Sequence, residues 1–183
     1  MSMKVLIVSD SHGDNTNLKK AIQNMGDYLD LMIHLGDMQC DADVIKGLVK
    51  CPVEFVKGNC DGMLGVPAAK LIDIAHHKVF ITHGHIYGGK WGIETMKDIA
   101  RENGADVVMF GHIHEPVIEP YSDVAVINPG SISRPRQEGH RPTYAVMTIE
   151  DDGRTDYVLV AMKRGVKTEG TGGRRNAAYR QGV

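Results

Sequence analysis

The chain repeats one punctuation: short, unbroken apolar runs that end abruptly in clusters of Gly, Asp, Asn and His. Lys4 to Ser9 reads Lys-Val-Leu-Ile-Val-Ser and gives way to Asp10-Ser11-His12-Gly13-Asp14-Asn15. A run of this kind, without alternation, is the pattern of a strand buried on both faces, as in a parallel sheet. Leu18, Ala21, Ile22 and Met25 then recur at helical spacing, and Gly26 closes that helix. Leu31 to Leu35 is a second buried strand ending at Gly36-Asp37. A helix is predicted over Ala42 to Val49, and Pro52 to Lys57 forms a third strand ending at Gly58-Asn59. Strand–helix–strand–helix–strand implies a parallel sheet with right-handed crossovers.

The second half changes character. Ala69 to Ala75 and Lys78 to Thr82 are spaced as a hairpin with His76-His77 at the turn. Trp91 to Arg101 reads as a helix stopped by Asn103-Gly104, and Asp106 to Phe110 as a buried strand. Pro116 to Glu119, Val124 to Asn128, Thr143 to Glu150 and Asp156 to Met162 complete the strands, with Asp152-Gly153 as a hairpin turn between the last two. The expected architecture is α/β, with two packed, mixed sheets and helices outside. One domain is expected over residues 1–164. Residues 165–183, rich in Gly and Arg, read as a solvated, flexible tail.

Composition narrows the function classes. With 183 residues, 21 basic against 23 acidic side chains and a formal charge of −2, the chain suits one domain. That balance argues against a broad nucleic-acid surface. No apolar run approaches the roughly 20 residues of a membrane span. Met1 to Lys4 lead straight into a strand, so no signal peptide is expected and a cytoplasmic location is inferred. Cys40, Cys51 and Cys60 are odd in number and lack Cys-x-x-Cys spacing, which fits reduced thiols.

Five polar clusters follow the strand-like runs: Asp10-Ser11-His12, Gly36-Asp37, Gly58-Asn59-Cys60-Asp61, His83-Gly84-His85 and Gly111-His112-Ile113-His114. Each has an ordinary explanation alone: a helix cap at Asp10, a turn at Gly36-Asp37, a left-handed Asn59, hydrogen-bonded histidines. Together they gather at the carboxyl ends of strands, where open α/β sheets bind ligands. Oxygen and nitrogen donors without thiolates suit Mn²⁺, Fe²⁺ or Zn²⁺. Asp10, His12, Asp37, Asn59, His83, His112 and His114 exceed what one tetrahedral ion needs. Two ions sharing a bridging carboxylate is the economical solution, and it is a geometry suited to phosphate ester hydrolysis.

This ordered set, Asp-x-His, Gly-Asp, Gly-Asn-x-Asp, His-Gly-His and Gly-His-x-His, resembles the calcineurin-like metallophosphoesterase superfamily. Its short length and Gly58-Asn59-Cys60-Asp61 resemble the small bacterial and archaeal phosphodiesterase branch, over about Lys4 to Met162. The resemblance implies a four-layer α/β/β/α sandwich. It implies one ion on Asp10, His12, Asp37 and His114 and another on Asp37, Asn59, His83 and His112. Mn²⁺ is the first expectation, with Fe²⁺, Zn²⁺ and Ni²⁺ as alternatives. The implied activity is hydrolysis of small phosphodiesters by in-line attack of a hydroxide bridging the ions. The superfamily also contains the small subunit of the retromer sorting complex, so a metal-supported scaffold is the alternative, and a nuclease a third. A homo-oligomer is compatible with each.

One departure stands out. Many members of the superfamily have Gly-Asn-His-Glu, whose His helps protonate the leaving group, whereas this chain has Cys60 and Asp61. A thiol near pKa 8.5 is a poor proton donor to an alkoxide, so aryl esters are the expected substrates. Cys60 reads equally well as a small packing residue. His85, two residues after His83, shares its face if the segment is extended, as a pocket residue or a support. Asn128-Pro129-Gly130-Ser131 resembles a segment of the same branch. Arg134 beyond it offers a bidentate fork to phosphate, with a surface salt bridge as the competing reading. His34, His76, His77 and His140 carry no functional assignment.

Overall fold

The computed structural model describes residues 2–62, 65–87, 92–120 and 122–163. The Gly/Arg-rich segment 165–183 and Trp91 lie outside them. One sheet runs β10-β9-β1-β2-β3, built from β1 (Met3–Val8), β2 (Leu31–His34), β3 (Val53–Phe55), β9 (Thr143–Ile149) and β10 (Thr155–Ala161). The other runs β4-β5-β6-β8-β7, built from β4 (Ala69–Ile74), β5 (His77–Thr82), β6 (Val107–Met109), β7 (Pro116–Glu119) and β8 (Ala125–Pro129). In the first sheet β1, β2 and β3 are parallel, and β9 and β10 are antiparallel to their neighbours. In the second β5, β6 and β8 are parallel, flanked by antiparallel β4 and β7. Both sheets are mixed, as expected.

Apolar residues on both faces of these strands generate the layers. Val5 and Ile7 face the space between the sheets, packed with Ile33, Ile81, Met109, Ile127 and Met147. Leu6 and Val8 face the other way, against Leu18 and Ala21 of α1 (Thr16–Met25) and Ile45 of α2 (Ala42–Lys46). On the far side Phe80, Val108 and Val126 pack on Met96 and Ala100 of α3 (Ile93–Glu102). The result is helix, sheet, sheet, helix: the four-layer sandwich.

Two local expectations are corrected. The helix at Ala42 stops at Lys46, not Val49, because Gly47 follows two β-branched residues, Val44 and Ile45, and its amide closes the last turn on Asp43. The β4–β5 turn is Ala75-His76, and His77 is the first residue of β5. There His77 Nδ1 lies 2.6 Å from Asp106 and Nε2 2.7 Å from Thr155 Oγ1, which ties the two sheets together.

Candidate metal centre

The parallel strands of both sheets deliver their carboxyl ends to one seam. Asp10 follows β1, Asp37 follows β2, Asn59 follows β3, His83 follows β5 and His112 follows β6. The turns beyond the strands continue the pairing. Asp10 N–H donates to Gly36 O at 3.0 Å, His12 N–H to Asp37 O at 2.9 Å, and Gly111 N–H to His83 O at 3.2 Å. Five of these side chains sit on backbone in the left-handed region: Asp10 (φ 56°), His12 (46°), Asp37 (52°), His112 (71°) and His114 (62°). Such conformations cost on the order of 1–3 kcal/mol each in non-glycine residues and concentrate where function demands them.

The innermost group is Asp10, His12, Asp37 and His114, each of which offers one donor atom within 4.8 Å of the others. His114 Nε2 lies 3.1 Å from Asp10 Oδ1 and 3.2 Å from His12 Nε2. His12 Nε2 is 3.8 Å from both Asp10 Oδ1 and Asp37 Oδ2. His83 joins them from the second sheet, its Nε2 3.5 Å from Asp37 Oδ1 and 4.0 Å from Asp10 Oδ1. His112 packs edge-on against His83, with ring centroids 5.1 Å apart, and its amide donates to Asp10 Oδ2 at 3.1 Å. Asn59 stands exposed on the rim, its amide 3.3 Å from Cys60 Sγ.

The tautomers follow from the partners. His83 Nδ1 lies 2.6 Å from Leu35 O, and His114 Nδ1 2.6 Å from Arg134 O. A carbonyl only accepts, so both Nδ1 atoms carry the proton and the Nε2 lone pairs of the neutral rings point inward. Inside, Asp10 Oδ1 and His83 Nε2 are buried with no hydrogen-bond partner. Buried acceptors facing one another without donors are costly, and a shared cation resolves the conflict. The donor set therefore fits a divalent ion. Carbonyls that orient ligand histidines from behind are a recurring feature of metal sites.

Burial opposes ionisation of Asp37, but His83 and the Cys60 amide outweigh it and hold the carboxyl well below the usual range. Asp10 is likewise held down, burial being outweighed by His114, His83 and Ser9. Burial resists a charge on His83 too, yet Asp37, Asp10 and the Leu35 carbonyl raise its imidazole overall. Burial lowers His12 and His112. A cavity of about 360 Å³ opens on this cluster, lined by His12, Asp37, Asn59, Cys60, His112, His114, Arg134 and Arg136.

The remaining expectations fall out residue by residue. Cys60 is exposed, which removes the packing reading; partial loss of water around its sulfur, together with the neighbouring Asp37, pushes its thiol up to about 11. Asp61 accepts from the amides of Gln39 and Gly58, each at 2.8 Å, and so clamps the turn rather than facing the cavity. His85 is not on an extended segment: it opens a 3-10 turn, His85–Tyr87, beyond Gly84 at φ 101°. Its ring still lies 5.4 Å from that of His83 and 6.3 Å from that of His112. Arg134 lines the cavity and is in no ion pair among the described residues.

Several residues with no assignment from the sequence brace the backbone of this cluster. Asn128 donates to Gly111 O at 3.0 Å and accepts from Gly130 N–H at 2.9 Å. Ser131 and Ser133 both donate to Asp10 O, at 2.8 and 2.9 Å. His34 is wholly buried and bonds Ser11 Oγ at 3.1 Å, the residue between Asp10 and His12. Only the Asn-Pro-Gly-Ser segment carried a signal for any of these. Close approach is met by glycine: a β-carbon on Gly58 overlaps the Asp37 carboxylate, and one on Gly111 overlaps Ser9 Oγ.

A two-sheet sandwich with aspartates and histidines gathered at its strand ends defines a metal-dependent phosphoesterase fold. Residues 3–152 match the calcineurin-like phosphoesterase superfamily domain, and the chain belongs to that superfamily. It is 37% identical over 153 residues to "Probable metallophosphoesterase YsnB" of Bacillus subtilis, covering 84% of this chain and 88% of that one. It is 34% identical over 146 residues to phosphodiesterase MJ0936 of Methanocaldococcus jannaschii, covering 70% and 83%. Among solved structures, a "predicted phosphoesterase" of Streptococcus pneumoniae superposes with a TM-score of 0.71 at 25% identity, covering 88% of this chain and 99% of that one. Vacuolar protein sorting 29 of Cryptosporidium parvum shares the fold, with a TM-score of 0.69 at 16% identity over 89% and 99% of the two chains.

Proposed function

We propose that the chain is a two-metal phosphodiesterase acting on small phosphodiesters. The observation that carries this reading is the inward set of unpartnered donors, Asp10 Oδ1 and His83 Nε2 foremost, backed by carbonyls that lock the ring tautomers. Asp10, His12, Asp37 and His114 would hold one ion, and Asp37, Asn59, His83 and His112 the other, with Asp37 shared. When bound, Mn²⁺ as first choice, or Fe²⁺, Zn²⁺ or Ni²⁺, supplies Lewis-acid charge for the phosphate oxygens and lowers the pKa of water.

The chain's own residues do the rest. Arg134 offers two parallel N–H bonds to the non-bridging oxygens of the phosphate. His85 stands at the edge of the ring cluster, where it orients an ester arm. A diester fits better than a monoester, because a second cavity of about 680 Å³ shares Cys60 with the first and gives room for a second arm. Cys60, a thiol and thus a weak acid, gives little help to a departing alkoxide, and Asp61 keeps the loop in place. Aryl diesters, whose leaving groups depart unprotonated, are the favoured substrates.

The test is a panel of phosphate esters assayed with each divalent metal, alongside Asp37→Asn. Aryl diester hydrolysis with Mn²⁺, lost about a hundredfold or more in the variant, is expected. Equal or faster hydrolysis of alkyl esters contradicts the role of Cys60. A folded protein with both metals bound and no turnover favours the scaffold reading, with which the fold shared with vacuolar protein sorting 29 agrees.

A further inference from the structure

We propose that Arg136 is a specificity-determining residue that binds a second phosphate, carried on one ester arm of the substrate; this rests on the phosphodiesterase reading. The cavity over the metal centre is lined by two guanidiniums, Arg134 and Arg136, and by a single carboxylate, Asp37, whose oxygens turn to His12, His83 and the Cys60 amide. The other arginines among the described residues are engaged. Arg101 pairs with Asp98 and Asp123, Arg154 with Asp152, and Arg141 donates to Ala161 O and Met162 O. No such partner holds the side chain of Arg134 or Arg136 among the described residues.

Their backbones, by contrast, are fixed to a ligand. His114 Nδ1–H donates to Arg134 O at 2.6 Å, Arg136 N–H donates to His114 O at 3.0 Å, and Arg134 N–H donates to Ser131 Oγ at 2.7 Å. The root of each side chain therefore keeps a set distance from His114, while the guanidinium stays free for a ligand. A simple phosphodiester brings one negative charge, and one fork satisfies its two non-bridging oxygens. With Arg134 committed to the reacting phosphate, the exposed guanidinium of Arg136 is left to meet a second anion on the substrate. Phosphate matches the fork with two coplanar oxygens and carries more charge than a carboxylate.

The experiment compares two chromogenic esters that differ in one group: the p-nitrophenyl ester of thymidine 5′-phosphate, and the same ester phosphorylated at the 3′ oxygen. In each, water oxygen bonds to phosphorus, the P–O bond to nitrophenol breaks and one proton is released; the products are nitrophenol and the nucleotide. The 3′-phosphate should raise kcat/KM about tenfold, through KM, since it acts equally before and at the transition state. Arg136→Ala removes the guanidinium but leaves both backbone bonds to His114, and should bring the ratio to within about twofold of unity. Arg136→Lys, a charge without the fork, should keep part of it, and added salt should erode it.

Calorimetry supplies a readout independent of turnover. Thymidine 3′,5′-bisphosphate should bind the Mn²⁺-loaded protein about tenfold more tightly than thymidine 5′-monophosphate, and Arg136→Ala should abolish that difference. Equal binding of the two nucleotides by wild type, or a preference that survives in Arg136→Ala, overturns the inference. If neither ester is hydrolysed with any metal, the phosphodiesterase reading fails, and the binding comparison alone then decides the role of Arg136.

Discussion

Acid should destabilise this protein through one buried side chain. His34 is fully buried, with Nε2 3.1 Å from Ser11 Oγ and Nδ1 without a partner. Burial, only partly offset by the charges of Asp10 and Asp61, pushes its imidazole down from 6.5 to about 4. In the unfolded chain the same ring titrates near 6.5. Between those values the unfolded state takes up a proton that the native state refuses. Stability that is complete above pH 6.5 therefore drains away as pH falls through that window, and levels off once the native ring protonates near 4. Over roughly 2.5 pH units, at about 1.4 kcal/mol each, His34 alone removes about 3 kcal/mol. That is a large fraction of the roughly 5–15 kcal/mol that keeps a domain folded. Urea unfolding of chelator-treated wild type and His34→Gln, at steps from about pH 7.5 to 4.5, isolates the contribution. The variant loses stability at neutral pH, but its curve against pH should be flatter by most of that amount. Parallel curves, or an NMR titration that places the native His34 ring near 6.5, refute the reasoning.

Two further perturbations address the ligand cage. Gly58→Ala drives a β-carbon into the Asp37 carboxylate and to 2.5 Å from its amide, so Mn²⁺ affinity by calorimetry should fall about tenfold or more, with a loss of about 1–3 kcal/mol in stability. Gly62→Ala, with nothing within 4 Å, is the control; if both variants bind Mn²⁺ alike, the steric account fails. Asn128→Ala strands the Gly130 amide in the interior and leaves the Gly111 carbonyl with Ile113 N–H as its one printed donor; it should cost about 1–3 kcal/mol in thermal or urea unfolding, and an unchanged melting profile contradicts it.

The strand ends were readable because their signal is local. A run such as Lys-Val-Leu-Ile-Val-Ser needs no partner to announce a buried strand, and the cluster after it announces where the strand stops. Gathering at one seam then follows from parallel strands. What the sequence hides is long-range. Ser131 and Ser133 reach Asp10 across 121 and 123 residues, and His34 reaches Ser11 across 23. A serine or buried histidine looks the same whether it braces a ligand or merely satisfies itself. In the sequence Asp61 is only the end of a motif, and the amides of Gln39 and Gly58 that it accepts from reveal a clamp. His85 sits beside His83 through a 3-10 turn rather than an extended segment, because Gly84, at φ 101°, breaks the period-two alternation. Arg136 carried no motif, and its significance is the lack of a partner, which no sequence records.

The donor cluster draws on both sheets, Asp10, His12 and Asp37 from one and His83, His112 and His114 from the other. Neither half of the chain contains a site of its own. β1, which leads to Asp10, is flanked on one side by β9, so the first sheet closes only when residues 143–149 arrive. Contacts of such sequence separation form slowly, because the loop must close before they contribute. During synthesis Asp10, His12 and Asp37 leave the ribosome well before His83, His112 and His114, which complete the cluster. The donor cluster is thus a property of the finished chain, complete only when both sheets have formed.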